Sequence, residues 1–143
     1  MSKGRTLVIS QFVLIVLIIL QGGLIANSIL GMELQIIGFL VGIKAIYDMK
    51  IGNLAINPEP KTDAKLVQSG IYKVVRHPMY LSILTFLLPV AINFSNVNSF
   101  VSYLILVFVL IVKIQYEEEL LIQKFSKYSD YIKETKRLIP YIY

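Results

Sequence analysis

The only histidine of the chain, His77, stands one residue before a proline in the run Gly70-Ile71-Tyr72-Lys73-Val74-Val75-Arg76-His77-Pro78-Met79-Tyr80. Forty residues after His77 the chain places three carboxylates in a row, Glu117-Glu118-Glu119. An imidazole, carboxylates and phenol rings can together hold a charged ligand. Each run adjoins an apolar segment, so both would lie at the mouth of a helix bundle. Taken singly, these residues have ordinary readings. His77, Tyr72 and Tyr80 would be interfacial side chains, Arg76 a topology anchor, and the glutamates a solvated charge run. Lys113 would snorkel from a helix end while pairing with Glu117 at i+4. Together they ask for more. Three adjacent carboxylates repel one another and need a positive or hydrogen-bonding neighbour, and ionisable groups at a membrane edge point to function.

The elements that must position these groups are apolar helices. Of the 143 residues, 56% are hydrophobic and only 16% charged, where a soluble domain carries about 25% charged residues. The mean hydropathy is +0.69. The length suggests one membrane domain over residues 1–143. Without cysteine there is no disulfide, thiolate nucleophile or thiolate metal site, and one histidine cannot supply a multi-imidazole shell, so no metal site is expected. The net charge of +5 is spread over loops and a tail beside apolar helices. That is the pattern for anionic lipid headgroups rather than for nucleic acid.

The pattern predicts an all-α integral membrane protein with four transmembrane helices, at about residues 6–30, 32–51, 79–94 and 100–115. A cytoplasmic loop over 52–78 joins the second to the third, and an amphipathic C-terminal helix covers 116–143. The first span is too long for a signal peptide and shows no small-x-small cleavage site. In the second, Lys44 and Asp48 can pair on one face. The last two spans are short against a hydrocarbon core of about 30 Å, and the polar turn 93–99 between them predicts a tight hairpin. All 14 Lys and Arg residues fall at the N-terminus, late in span two, in the central loop, or from Lys113 onward. The positive-inside rule then puts both termini and the central loop in the cytoplasm, with the histidine and glutamate runs on the same face. Beyond the fourth span, Ile114, Leu121, Phe125, Tyr128 and Ile132 form a stripe at helical spacing. Glu117 and Glu118 fall on or beside it, so at least one of them should point inward. Pro140 is expected to stop the helix.

Gly70-x-Tyr72-x-x-x-Arg76-His77-Pro78-x-Tyr80, followed by a helical hairpin and then by Glu117-Glu118-x-Leu120-Leu121-x-x-x-Phe125, Tyr128, Tyr131 and Arg137-x-Ile139-Pro140, resembles the isoprenylcysteine carboxyl methyltransferase family. Asn57-Pro58-x-Pro60 and Leu66-Val67 match its approach to the histidine motif. The resemblance covers about residues 50–140. It implies a small membrane methyltransferase that uses S-adenosylmethionine in a cytoplasmic-side pocket closed by the loop and the C-terminal helix. Carried over by position, it implies that Asn57, Lys65, Leu66, Val67, Tyr72, His77, Pro78, Met79, Tyr80 and Glu117 line the cofactor site. Lys113 stands where the family usually has an arginine facing the methyl acceptor, and it would orient a carboxylate or hydroxyl. The replacement loses a planar bidentate grip. The implied partners are membrane lipids and a lipophilic or prenylated substrate. The absence of cysteine and the abundance of Ile, Lys and Asn in the chain lean toward a bacterial inner membrane.

Two alternatives stand beside this reading. A phospholipid N-methyltransferase has a similar signature, although an amine acceptor fits poorly beside a protonated Lys113. A non-enzymatic four-helix membrane protein or transporter is the other. A drug/proton exchanger would want a carboxylate deep in the first span, and residues 7–30 contain none.

Overall fold

Ser2 opens the first helix by accepting a hydrogen bond from the Arg5 amide at 3.3 Å, and Ser28 opens the second by accepting from Gly31 at 3.1 Å. These side chains satisfy amides that have no partner within the first helical turn. The structure is a computed structural model describing residues 2–50, 53, 58–92, 97–140 and 142–143. Among the described residues it contains five α-helices: α1 (Lys3–Gly22), α2 (Ile29–Met49), α3 (Pro78–Ala91), α4 (Val97–Lys124) and α5 (Tyr128–Glu134). A 3-10 turn over Gly70–Lys73 precedes α3.

The helices α1, α2 and α4 are long and apolar enough to cross a membrane, which marks an integral membrane protein. The fourth apolar helix, α3, has 14 residues and is ~21 Å long at 1.5 Å per residue, short of a hydrocarbon core of about 30 Å.

Several boundaries differ from the sequence expectation. The first helix stops at Gly22 instead of near residue 30, because Gly23 takes φ 91°, a conformation that favours glycine. The linker that follows is held by Gln35, whose side chain accepts from the Ala26 amide and donates to the Leu24 carbonyl, both at 2.9 Å. At the other end of the bundle, the chain stays helical past the fourth span as expected, α4 running through the glutamates to Lys124. Nothing between Gln115 and Lys124 breaks a helix. The expected C-terminal helix over 116–143 is therefore not one element. The helix breaks after Lys124, resumes as the seven-residue α5, and gives way to extended chain six residues before Pro140. Residues 136–137 pair with 74–77 through a parallel bridge, Val75 to Lys136. Its hydrogen bonds include Arg76 N to Lys136 O at 2.8 Å and His77 N to Arg137 O at 3.0 Å.

α1 packs along α4 and α2 along α3, while α3 also touches α1 and α4. The core between α1, α3 and α4 is built from Leu14, Ile18, Leu87, Val90, Leu106 and Leu110. On α2 the face toward α3 is made of small residues. A Cβ on Gly38 would lie 2.7 Å from the Phe86 backbone nitrogen, and one on Gly42 would lie 2.6 Å from Ser82 Oγ. Lipid tails are as apolar as leucine, so helices in a bilayer associate mainly through such close packing. The 3-10 turn is fixed to α2 in the same manner. Asp48 pairs with Lys44 at 2.6 Å and accepts from the Ile71 amide at 2.8 Å. A Cβ on Gly70, whose φ is +62°, would collide with that carboxylate.

Gly38→Val should overpack the α2–α3 contact and cost about 1–3 kcal/mol, read as a lower thermal midpoint of the detergent-purified protein. Ile37→Val, on an exposed face, should leave the midpoint in place. Equal midpoints for the two variants would contradict the close approach.

Candidate active site

The Glu118 carboxylate lies at 4% exposure and draws three cationic or polar groups from distant segments. Arg76 Nε donates to its Oε1 at 2.8 Å, Arg137 Nε to its Oε2 at 2.9 Å, and His77 Nε2 lies 3.4 Å from Oε1. Arg76 has a second task. Its Nη1 donates to the carbonyls of Thr135 at 2.5 Å and Ile132 at 3.2 Å. These lie at the C-terminal end of α5, where helix carbonyls lack partners. One guanidinium thus closes α5, turns the chain into the 136–137 bridge and neutralises Glu118. Sequence reasoning took Arg76 for an anchor and gave Glu118 no role. The motif spacing brought the two segments together, but only the fold shows which glutamate the arginines use.

Glu117, the next residue, faces the other way. Successive helix residues diverge by about 100°, so pairing Glu118 to the arginines turns Glu117 toward a cavity. Tyr80 Oη donates to Glu117 Oε1 at 2.5 Å, and His77 Nδ1 lies 3.6 Å from Oε2. The His77 ring therefore stands between the two carboxylates, stacked on Tyr80 with centroids 5.6 Å apart. Its placement follows from local structure: His77 is the residue before Pro78, which starts α3, and prolines favour the first helical position.

The cavity, of about 300 Å³, brings together ten of the eleven residues singled out in the sequence. Lys65, Leu66 and Val67 line it from the central loop, Tyr72 from the 3-10 turn, His77, Pro78, Met79 and Tyr80 from the start of α3, and Lys113 and Glu117 from α4. Asn57 lies outside the described residues. The loop is anchored by Asn53, which exchanges two 3.0 Å hydrogen bonds with the Lys65 backbone. Tyr128 and Tyr131 of α5 add to the lining. Burial pushes the Tyr131 hydroxyl up to about 12. It therefore remains protonated and donates to the Tyr72 carbonyl at 2.5 Å. Burial raises Tyr72 and Tyr128 as well.

Lys113 departs from its ordinary reading as a snorkelling partner of Glu117. It makes no close ion pair with Glu117; its Nζ donates to Gln11 Oε1 of α1 at 2.8 Å and lies 5.1 Å from the Tyr80 ring centroid. At 3% exposure it does not snorkel to water. Gln11, like Arg76, Tyr128 and Tyr131, lines the cavity without having been singled out as a site residue in the sequence. Its only signal in the sequence was a polar pair, Ser10-Gln11, inside an apolar stretch, and its partner Lys113 is 102 positions away.

The arrangement offers a carboxylate, aromatic faces and an ammonium around a mostly apolar hollow. Its size is at the small end of the range for small-molecule sites, about 300–1,000 Å³. The family model described as phospholipid methyltransferase matches residues 26–128, well over half the chain and inclusive of every sequence-predicted site residue. That match supports a membrane methyltransferase, the class shared by the isoprenylcysteine carboxyl and phospholipid readings. α1, with Gln11, lies outside it. No curated protein matches the chain.

Removing one partner of a buried ion pair leaves an uncompensated charge, at a cost of about 3–5 kcal/mol. Glu118→Ala should show that loss in denaturant titrations of the micellar protein, while Glu119→Ala, at an exposed position, should stay within about 0.5 kcal/mol of the parent. Similar small effects for both would remove Glu118 from its central place.

Proposed function

Since the chain belongs to the phospholipid methyltransferase family, we propose that it transfers a methyl group from S-adenosylmethionine to a lipophilic acceptor at one face of a membrane. The observation that carries this reading is the convergence of Lys65, Tyr72, His77, Tyr80 and Glu117 on one cavity beside Lys113. The residues fit the cofactor's chemistry. A sulfonium is cationic and is stabilised by tyrosine faces and a carboxylate, and an amino-acid ammonium is a charge-assisted partner for Glu117.

When bound, the cofactor supplies an electrophilic methyl for in-line displacement. The chain's own contribution is to bind, orient and keep out water. Tyr80 holds the Glu117 carboxylate in one orientation. His77, wedged between two carboxylates and stacked on Tyr80, serves as wall rather than as acid or base. Lys113, steadied by Gln11, orients the polar group of the acceptor. Lys3, Arg5, Lys65, Lys113 and Lys124 lie toward the same end of the bundle. The positive-inside rule supports a cytoplasmic site with cytoplasmic termini, and composition favours a bacterial inner membrane. In this reading α3 completes a four-helix membrane domain, its short length placing the cavity below the membrane surface.

Two acceptor classes remain in view, each favoured by one observation. The ammonium of Lys113 favours an oxygen acceptor, a carboxylate or hydroxyl, as in isoprenylcysteine carboxyl methylation. The family match favours the amine of a phospholipid.

Methyl-labelled S-adenosylmethionine incubated with the protein in vesicles of bacterial lipids should put label into the chloroform-extractable fraction. Label released by mild alkali as volatile methanol marks a methyl ester, non-volatile label that enters the aqueous phase with the deacylated headgroup marks an N-methyl phospholipid amine, and label that stays in chloroform marks a methyl ether. Lys113→Ala should reduce the rate by about tenfold or more while cofactor affinity stays within about twofold. Equal loss of affinity and rate would show that Lys113 belongs to the cofactor site instead.

A further inference from the structure

Gln11 is 5% exposed on α1, a helix long and apolar enough to cross a membrane. Burying a carboxamide is costly unless its polar ends find partners, and only one end of Gln11 has one. An ammonium carries donors and no acceptor, so the 2.8 Å contact with Lys113 Nζ fixes the amide with Oε1 toward the lysine. The Nε2 end donates to no group among the described residues. No side-chain nitrogen or oxygen among those residues is both fully enclosed and unpartnered, so Nε2 has open space beside it. The space that Gln11 borders is the polar cavity, which Lys113 lines as well. Two side chains from α1 and α4 therefore turn N–H donors toward one hollow, while the amide oxygen is engaged by the ammonium. A ligand group placed there must accept hydrogen bonds.

We propose that Gln11 is a specificity-determining residue, whose Nε2–H and the Lys113 ammonium together clamp a carboxylate of the methyl acceptor. The inference rests on the methyltransferase reading of the cavity and narrows the substrate class to an amphiphile with a carboxylate head. α1 lies outside the family match, so this donor is no part of what the match implies. The chemistry balances without a base, because a carboxylate carries no proton to remove. One carboxylate oxygen accepts from both donors and the other forms the bond to the methyl carbon. The sulfur–methyl bond breaks as that bond forms, its electron pair stays on sulfur, and a methyl ester and a neutral thioether result. A protonated amine placed there would meet donors and a like charge.

Dodecanoate, a carboxylate on one alkyl chain, is the probe. It is titrated calorimetrically at mildly alkaline pH into the protein in maltoside micelles saturated with S-adenosylhomocysteine, with protein-free micelles as the blank. Binding should saturate near one dodecanoate per chain, and dodecylamine should show no saturable binding. Gln11→Glu keeps a partner for Lys113 but removes the N–H donor; a residue that merely steadies the lysine would leave the affinity unchanged, whereas the clamp predicts a loss of about tenfold or more. Gln11→Met should weaken dodecanoate similarly. Gln11→Met/Lys113→Arg should recover affinity to within about threefold of the parent, because a guanidinium brings both donors on one planar group. Unchanged affinity in Gln11→Glu or Gln11→Met, a double variant as weak as Gln11→Met, or no dodecanoate binding by the parent overturns the proposal. If Gln11→Met does not fold, Gln11→Glu against the parent decides. S-adenosylhomocysteine affinity separates the two levels: retained binding confines a failure to Gln11, and absent binding sinks the methyltransferase reading itself.

Discussion

The rest of the structure depends on the ion cluster at Glu118. Three segments with no sequence proximity meet there: the residues before α3, the end of α4 and the chain after α5. Burying a carboxylate costs several kcal/mol unless it is paired and hydrogen-bonded, and Arg76, Arg137 and His77 meet that requirement together. The same contacts decide the orientation of Glu117. With its neighbour committed to the arginines, Glu117 can only face the cavity, where Tyr80 holds it. Two adjacent glutamates thereby divide the work, one tying the fold together and the other available to a ligand.

A second constraint comes from α2. Gly38 brings the α3 backbone, and Gly42 the Ser82 side chain, into close approach, and Asp48 on the same helix fixes the 3-10 turn that carries Tyr72. α2 contributes few groups to the cavity itself, yet it sets the height of His77 and Tyr80. α1 acts from the opposite side through Gln11, which draws Lys113 away from Glu117. The cation and the carboxylate are thus kept apart, and each can address a different ligand.

Much of this was legible in the sequence because it is carried by local pattern. Hydropathy gave the apolar helices, His77-Pro78 a helix start, and the two motifs a common cavity. What escaped was set by tertiary contacts. The end of α5 at Glu134 goes with Arg76 taking the carbonyls of Ile132 and Thr135, which no local propensity encodes. The early stop of the first helix depended on which of two adjacent glycines turned. Gln11 drew no reading from the sequence, since its partner Lys113 is met only when α1 lies along α4. The apolar stripe left Glu117 and Glu118 open and only the resemblance singled out Glu117; that Glu118 takes the two arginines depends on the rotation of α4.

The central claim is that Glu117 and its neighbours form a site for S-adenosylmethionine, and calorimetric titration with the demethylated product S-adenosylhomocysteine tests it most directly, because no turnover complicates the heat. The account predicts saturable binding near one ligand per chain, weakened by Glu117→Gln about tenfold or more, as expected for the loss of a charge-assisted contact. No binding at millimolar ligand, or equal affinity in the two proteins, would contradict it.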